Sequence, residues 1–336
     1  MRRPTIRDVA ADSGVSRATV SLVLRDSPQI AEATKQRVRE SMARLGYVYN
    51  RRAADMRNQQ SRTLGLVVTT VRNPYFAELM MSIEQVAHQA GYTLLQGYSL
   101  DETARQRKLL ETMAEHRIDG LVLLPAHGSR PEDLLETAGI PHVLVARSIP
   151  GYQSDYAGAD NVVSGRLVGE HLAAINVGSV AFAGGPAAST ARSDRLNGLR
   201  QALRAADVPV IKDLPIGRQS GADLVAEVLS GGCPDAIVAY SDMYAFGIVN
   251  GLRAHGVEPG RDVAVASFDD VPDAAVQQPG LTSAAGFPDR VGAEAARLLL
   301  DRMGDPARPP RRVLIDPRLS VRESTTLWPA TGRTPL

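Results

Sequence analysis

From Leu64 onward the chain alternates between two hydrophobic patterns. Short unbroken apolar runs at Leu64–Thr69, Thr93–Gly97, Gly120–Leu124, His142–Val145, Val180–Ala183, Ala236–Ala239 and Val263–Phe268 predict strands. Between them, Phe76–Gln89, Glu102–His116, Val162–Ala174, Arg192–Ala205, Ala222–Leu229 and Met243–Ala254 repeat apolar residues every three to four positions and predict helices. Strands that are apolar throughout are buried on both faces, which implies parallel sheets covered by helices. The segment is generous for one sheet, so two α/β lobes are expected, with a break near Asp155–Asp160. The tail, Trp328 to Leu336, carries neither pattern.

The first 45 or so residues follow a different rhythm. Ile6, Val9 and Ala10 fall at i, i+3 and i+4 and form one apolar stripe. Thr5 is placed to cap this helix, with Asp8 at the third helical position to return the contact. Gly14 supplies a left-handed stop, and after Val15 alone Ser16 caps the next helix. That second helix, Arg17 to Leu24, turns Val20, Val23 and Leu24 inward and leaves Arg17, Ala18, Ser21 and Leu22 outward. A third, Glu32 to Leu45, has Val38, Met42 and Leu45 as its stripe, and Gly46 ends it. Three short helices with so tight a first turn predict a helix-turn-helix bundle.

Charge sharpens this division. Overall the chain carries +1, but residues 1–62 hold thirteen Lys or Arg against six Asp or Glu, a net +7. The remaining 25 basic and 31 acidic residues leave the body at −6. A basic head on an acidic body is what contact with a polyanion at one end requires, although a solvated basic face has the same charge. Residues Asn50 to Arg57, "NRRAADMR", read as a short basic helix, marginal unless DNA orders it, followed by the polar linker Asn58–Ser61.

Composition narrows the setting. With 44% apolar and 22% charged residues the 336-residue chain can bury real cores. A lone Cys233 excludes an internal disulfide, and six scattered histidines show no metal spacing. Met1 to Ala10 has no apolar segment of a secretory leader, and no apolar run reaches membrane-spanning length, so a cytoplasmic protein is expected. Phosphate-binding, zinc-protease and nucleophile-elbow motifs are missing; Gly184-Gly185-Pro186 is the nearest approach to a phosphate turn. No enzyme is therefore expected, and no cofactor or metal. The alternatives are a sugar-metabolising enzyme or an exported solute-binding protein without DNA function.

The run "TIRDVAADSGVSRATVSLVL…TKQRVRESMARLGYVYN" resembles the DNA-binding head of the LacI/GalR family of bacterial regulators. Asp8-Val9-Ala10, Gly14-Val15-Ser16, Thr19-Val20-Ser21 and Leu45-Gly46-Tyr47, ending at Asn50, carry that resemblance. In the body Asn73-Pro74-Tyr75-Phe76, Asp119-Gly120-Leu121-Val122, Arg195-Leu196-Asn197-Gly198, Ser241-Asp242 and Phe268-Asp269-Asp270 extend it over nearly the whole chain. The implied fold is α/β: an N-terminal all-α helix-turn-helix head, then a two-lobed periplasmic-binding-protein-like sensor with parallel sheets. The resemblance divides the chain into a head at 1–49, a hinge helix and linker at 50–61, and a sensor and dimerisation domain at 62–330. Lobe 1 is expected at about 62–157 and 286–315, lobe 2 at about 158–285 and 318–330, because the family crosses between lobes three times.

Site residues follow from the same source. The second helix would enter the major groove, with Arg17 and Ala18 as the specificity pair; Ser16, Thr19 and Ser21 would touch phosphate or flanking bases. Thr5 joins this set. Leu22 stands where many members carry a base-reading arginine, and Ala31 replaces a usual serine cap. In the hinge, Met56 occupies the wedge position in the minor groove, with Asn50, Ala53 and Ala54 allowing close approach.

A sugar-like effector needs polar groups for its hydroxyls and an aromatic platform for its ring. Arg195 offers a donor fork, Asp269 accepts two hydroxyls, and Tyr75 and Phe76 can stack, Phe76 being equally placed for core packing. Ser241 stands where sugar-binding members have Asn; Tyr98 and Arg147, at strand ends, complete the candidates. Asp242 is expected to cap the helix after it. Ser189 occupies the place of an arginine in purine-sensing members, which speaks against a nucleobase. The implied partners are a palindromic operator, a small effector and a second copy of the chain; "STTLWPATGRTPL" has no leucine heptad for a tetramer.

Overall fold

Apolar runs with no polar face end up between helix layers, and they do so here twice. The computed structural model describes residues 4–24, 26–47, 61–137, 139–203, 209–211 and 217–329, so Asn50, Ala53 and Met56 lie outside the described residues. The chain divides into two units, Met1–Ser61 and Arg62–Leu336.

The first unit contains α1 (Ile6–Ser13), α2 (Arg17–Leu24) and α3 (Glu32–Leu45). Val9, Ala10, Val20, Val23 and Val38 form its buried core, with Ile6, Leu24, Met42 and Leu45 packed around them. Gly14 and Gly46 terminate α1 and α3 at φ 67° and 64°, where a side chain would be strained.

The second unit carries two six-stranded sheets. The first runs β11-β5-β4-β3-β1-β2, all parallel, from β1 (Thr63–Val68), β2 (Thr93–Tyr98), β3 (Gly120–Leu123), β4 (His142–Val145), β5 (Asp155–Ala159) and β11 (Arg312–Ile315). The second runs β12-β10-β9-β8-β6-β7, from β6 (Val180–Ala183), β7 (Val210–Ile211), β8 (Ala236–Ala239), β9 (Ala264–Asp269), β10 (Thr282–Ala285) and β12 (Arg318–Ser320). Among the described residues, only the edge strand β12 is antiparallel, pairing Ala284 with Leu319.

The chain passes between sheets after Ala159, after Ala285 and after Ile315. The first crossing lies at the end of Asp155–Ala159, which is itself a fully buried strand. Its sequence, DYAGA, lacks the branched apolar residues that announce a strand. β10, TSAA, is equally quiet and equally buried.

Helices cover both sheets: α4 (Pro74–Gln89), α5 (Thr103–Glu115), α6 (Asn161–Ala174), α7 (Thr190–Leu203), α8 (Arg218–Ser230), α9 (Asp242–Ala254), α10 (Pro272–Val276), α11 (Pro288–Gly304) and α12 (Glu323–Thr326). α11 packs on α4 and on β3, β4 and β5, returning the chain to the first lobe. In the second lobe α6 and α7 meet backbone to backbone. A Cβ on Gly165 would collide with the Arg195 carbonyl, and one on Gly198 with that of Val162. Among the described residues, no helix is long and apolar enough to cross a membrane.

Candidate functional site

The head presents the start of α2 to solvent. Ser16, Arg17 and Ala18 are exposed, while Thr19, Ser21 and Leu22 are half-buried. The Ser16 hydroxyl accepts from the Thr19 backbone N–H at 3.0 Å and lies 2.9 Å from the Thr19 hydroxyl, so the first turn is fixed by its own cap. At α1, the Asp8 carboxylate accepts from the Thr5 N–H and hydroxyl, each at 2.7 Å. α3 starts at Ala31 with no side-chain cap, as its sequence dictates.

Most other charges of the head neutralise one another. Lys35, buried despite its charge, bonds Asp26 at 2.8 Å; Arg39 meets Glu32 at 2.9 Å and Arg44 meets Asp12 at 2.6 Å. The Asp12 carboxyl is held below its ordinary range by the Ser41 hydroxyl and then by Arg44, and Asp26 by Lys35. Arg17 forms no ion pair among the described residues, which leaves its guanidinium available to an outside partner. An unneutralised arginine on an exposed helix start, beside small residues, suits close approach to a groove.

In the second unit, the carboxyl ends of both sheets converge on a cavity of about 40 Å³. Tyr75 and Phe76 enter from the start of α4, Arg147 from beyond β4, Arg195 from α7, Ser241 from the β8–α9 turn and Asp269 from the end of β9. Tyr98 does not join them; it ends β2, half-buried against the core, its hydroxyl 3.5 Å from Gln96. Strand-end position alone suggested Tyr98, but β2 is the edge strand of its sheet.

Arg195 is the most constrained group. Its Nε donates to Asn161 at 2.8 Å, one terminal nitrogen to the Tyr240 carbonyl at 2.5 Å, and the other faces Asp269 at 3.4 Å. The guanidinium also stacks over the Phe268 and Tyr240 rings, 4.8 and 5.2 Å from their centroids. Asp269 takes a second donor, the Asn73 side-chain amide, at 3.0 Å. Burial pushes the Asp269 carboxyl up, and Arg195 and Asn73 oppose that. Asp269 and Asp270 hold positive φ values of 108° and 53°, so the strand end bends sharply to aim the carboxylate.

The other walls are set likewise. Tyr75 and Phe76 meet edge to face, 5.6 Å apart at 88°, so Tyr75 offers the cavity an aromatic surface while Phe76 also packs in the core. Burial raises the Tyr75 hydroxyl, which stays protonated. Arg147 is bound by Asp101 at 2.6 Å and by the Pro125 carbonyl at 3.1 Å. Burial works against the Asp101 charge, but Arg147 and His127 hold its carboxyl low. The Ser241 hydroxyl is buried and has no hydrogen-bond partner among the described residues.

Asp242 does not cap its own helix. It is the first residue of α9, and its fully buried carboxylate accepts from the hydroxyls of Ser267 and Ser283 and from the Val271 N–H at 2.8 Å. Burial, and then the charge on Asp269, push it up to about 7. The carboxylate therefore serves as a hub for the β9 and β10 ends behind the cavity. Asn73, Asn161 and Tyr240 are the functional positions that sequence reasoning missed. Asn73 stands inside a quoted motif and caps α4 through the Tyr75 N–H at 3.0 Å. Ser189 bonds the Tyr240 hydroxyl at 3.1 Å.

Comparison with known proteins supplies the remaining observation. Residues 5–50 match the family "Bacterial regulatory proteins, lacI family", and residues 170–325 match "Periplasmic binding protein-like domain". The HTH-type transcriptional regulator CelR of Thermobifida fusca is 32% identical over 336 residues, covering 96% of this chain and 98% of its own length. The solved "transcriptional regulator CelR-cellobiose complex" superposes with a TM-score of 0.71 at 31% identity, over 96% of this chain and all of that one (100%). The lac repressor dimer bound to operator and the anti-inducer ONPF has a TM-score of 0.87 at 22% identity, over 96% of this chain and 99% of its own, a likeness of fold.

Proposed function

The chain belongs to the lacI family of bacterial regulatory proteins, and on that premise we propose that it is a transcriptional repressor that binds a palindromic operator as a homodimer and is released or engaged by a sugar. The head (1–49) reads DNA, the hinge (50–61) couples, and the sensor (62–330) binds the effector. Arg17 and Ala18 read base edges from the start of α2, with Thr5, Ser16, Thr19, Ser21 and Leu22 positioning the head against phosphates and flanking bases. Asn50, Ala53 and Met56 take the hinge roles assigned by the resemblance. The proposed location is the cytoplasm, where the operator is, and the protein performs no catalysis.

One observation carries the sugar reading. Asp269, held between Arg195 and Asn73, lies in the same cavity as the Ser241 hydroxyl, which is buried without a partner. An unmet buried hydroxyl costs about 1–3 kcal/mol, and a hydroxylated ligand would satisfy it. Tyr75 supplies the surface for a ring face. Closing two lobes on such a ligand changes the geometry that the sensor offers to its dimer mate and hinge, so operator and effector affinities are linked reciprocally.

The test begins with selection of operators from a random DNA pool by the full-length protein, followed by sugar titration of the selected complex. A recovered palindrome whose binding a sugar changes is expected. Asp269→Ala should keep the palindrome and lose the sugar response. A response that persists in Asp269→Ala would place the effector elsewhere, and failure to enrich any DNA would remove the repressor reading.

A further inference from the structure

Arg62 is the first residue of the second unit and directly precedes β1, yet it holds a left-handed φ of 52°. Glycine suits such a position, and an arginine stays there only where its neighbours hold it. Two of them do. The Asp119 carboxylate accepts from the Arg62 backbone N–H at 2.8 Å, and the Arg62 guanidinium lies over the Tyr92 ring, 5.4 Å from its centroid. On the carboxyl side the sheet has already begun. The Thr93 N–H donates to the Arg62 carbonyl at 3.0 Å, and the Asp119 N–H to the Thr63 carbonyl at 2.8 Å. Sheet bonds thus fix one side of Arg62, while the Asp119 carboxylate orients the peptide on the other. β1 and β3, which pair with each other, lead from this junction to the cavity. Beyond β1 Asn73 reaches Asp269, and beyond β3 the Pro125 carbonyl accepts from Arg147. Junction and cavity therefore lie at opposite ends of two neighbouring strands, separated by the six residues of β1, or about 20 Å.

We propose that Asp119 is a positioning residue for the operator response: by holding Arg62 left-handed, it fixes the angle at which the linker meets β1. A movement of the first lobe on effector binding is then passed on to the linker instead of being absorbed at its attachment. This rests on the sugar-controlled repressor reading and names the residues through which the sensor acts. A residue free to swing between left-handed and extended backbone redirects all of the chain before it, which is how hinges absorb motion. The clamp is finely balanced, since one hydrogen bond at the surface and one ring contact hold one strained residue. Loss of the carboxylate returns Arg62 to the extended backbone that suits the start of a strand. A contact that only supported the fold would lower stability and sugar binding together; a positioning contact separates sugar binding from its consequence.

The full-length protein on its selected operator is titrated with glucose, galactose, ribose and cellobiose, and the sugar with the largest effect is used throughout. In the wild type that sugar should change operator affinity tenfold or more. In Asp119→Ala the change should fall below twofold, while the DNA-free protein binds the sugar within twofold of wild type. Asp119→Asn, whose side-chain oxygen still accepts from the Arg62 N–H, should keep the wild-type response. Arg62→Pro, which excludes a positive φ and removes the N–H, should behave as Asp119→Ala does. A response that survives in Asp119→Ala or in Arg62→Pro overturns the clamp and leaves the sugar reading standing. A loss of sugar affinity in step with the loss of response overturns it too, by making the contact a support of the fold. No response of the wild type to any of the four sugars removes both readings.

Discussion

The side-chain amide of Asn73 donates to Asp269 Oδ2 at 3.0 Å, joining the helix that follows the first sheet to the last residue of a central strand in the second. It is a direct polar tie between lobes inside the cavity, and its acceptor is the carboxylate proposed to hold the effector. Asn73 also caps α4, so one side chain fixes a helix start and reaches the opposite lobe.

Asn73→Ser separates these duties, because serine caps about as well as asparagine but is too short to reach Asp269. Loss of a hydrogen bond to a charged group, worth about 1.5–3 kcal/mol, should weaken effector binding about tenfold or more, with little change in melting temperature. Calorimetric titration with the sugar found active against the operator complex checks this. Wild-type affinity in the variant would mean that the tie plays no part in the bound state.

At the DNA end, Arg17→Ala should lower operator affinity by about 1–3 kcal/mol and relax preference at a single base pair in each half-site. Binding measured across a set of single-substitution operators distinguishes this from a phosphate contact. A uniform loss over all operators, with a shallower salt dependence, would assign Arg17 to the backbone instead.

Met56→Ala addresses the hinge. Loss of an apolar wedge from a kinked base step should weaken operator binding at least tenfold while effector affinity stays unchanged. Electrophoretic bending assays provide a second readout, since the wedge and the bend should disappear together. An unaltered bend angle would dissociate Met56 from the DNA.

The Asp242 carboxyl sits at about 7 in the fold against an ordinary 3.8. Between those values the folded state holds more protons than the unfolded chain, so this group's contribution falls as pH rises from about 4 to about 7. Asp269, also raised, acts in the same direction. The Asp242 shift corresponds to an upper bound on the order of 4 kcal/mol. Asp242→Asn should therefore flatten the fall in urea midpoint between about pH 5 and about pH 8. Parallel curves for the two proteins would show that Asp242 does not titrate in this range.

Much of the fold was legible because its signals are local. Leu64–Thr69 and Ala236–Ala239 are apolar throughout, and Thr5, Gly14 and Ser16 punctuate the head with caps and a left-handed stop. β5 and β10 were illegible for a physical reason: Ala, Gly and Ser in DYAGA and TSAA pack because helices lie close, not because the residues are hydrophobic. The cavity divided in the same way. Arg195, Asp269 and Tyr75 announce a polar fork, a carboxylate and a ring, whereas Asn73 and Asn161 stand at helix starts, where asparagine has a local use that conceals a distant one. Asp242 was misassigned by the same habit, since an acid at a helix start suggests a cap and its partners lie 25 to 41 residues away.

The backbone contact between α6 and α7 bears on how this protein could be retargeted. Because Gly165 and Gly198 leave no gap between those helices, Arg195 cannot be shifted sideways by remodelling either one. A mutant library seeking new effectors should hold both glycines constant and vary the side chains at Tyr75 and Ser241. New specificities would then come from exchanging groups on a fixed frame, and variants altered at the glycines would drop out as misfolded before any selection for binding.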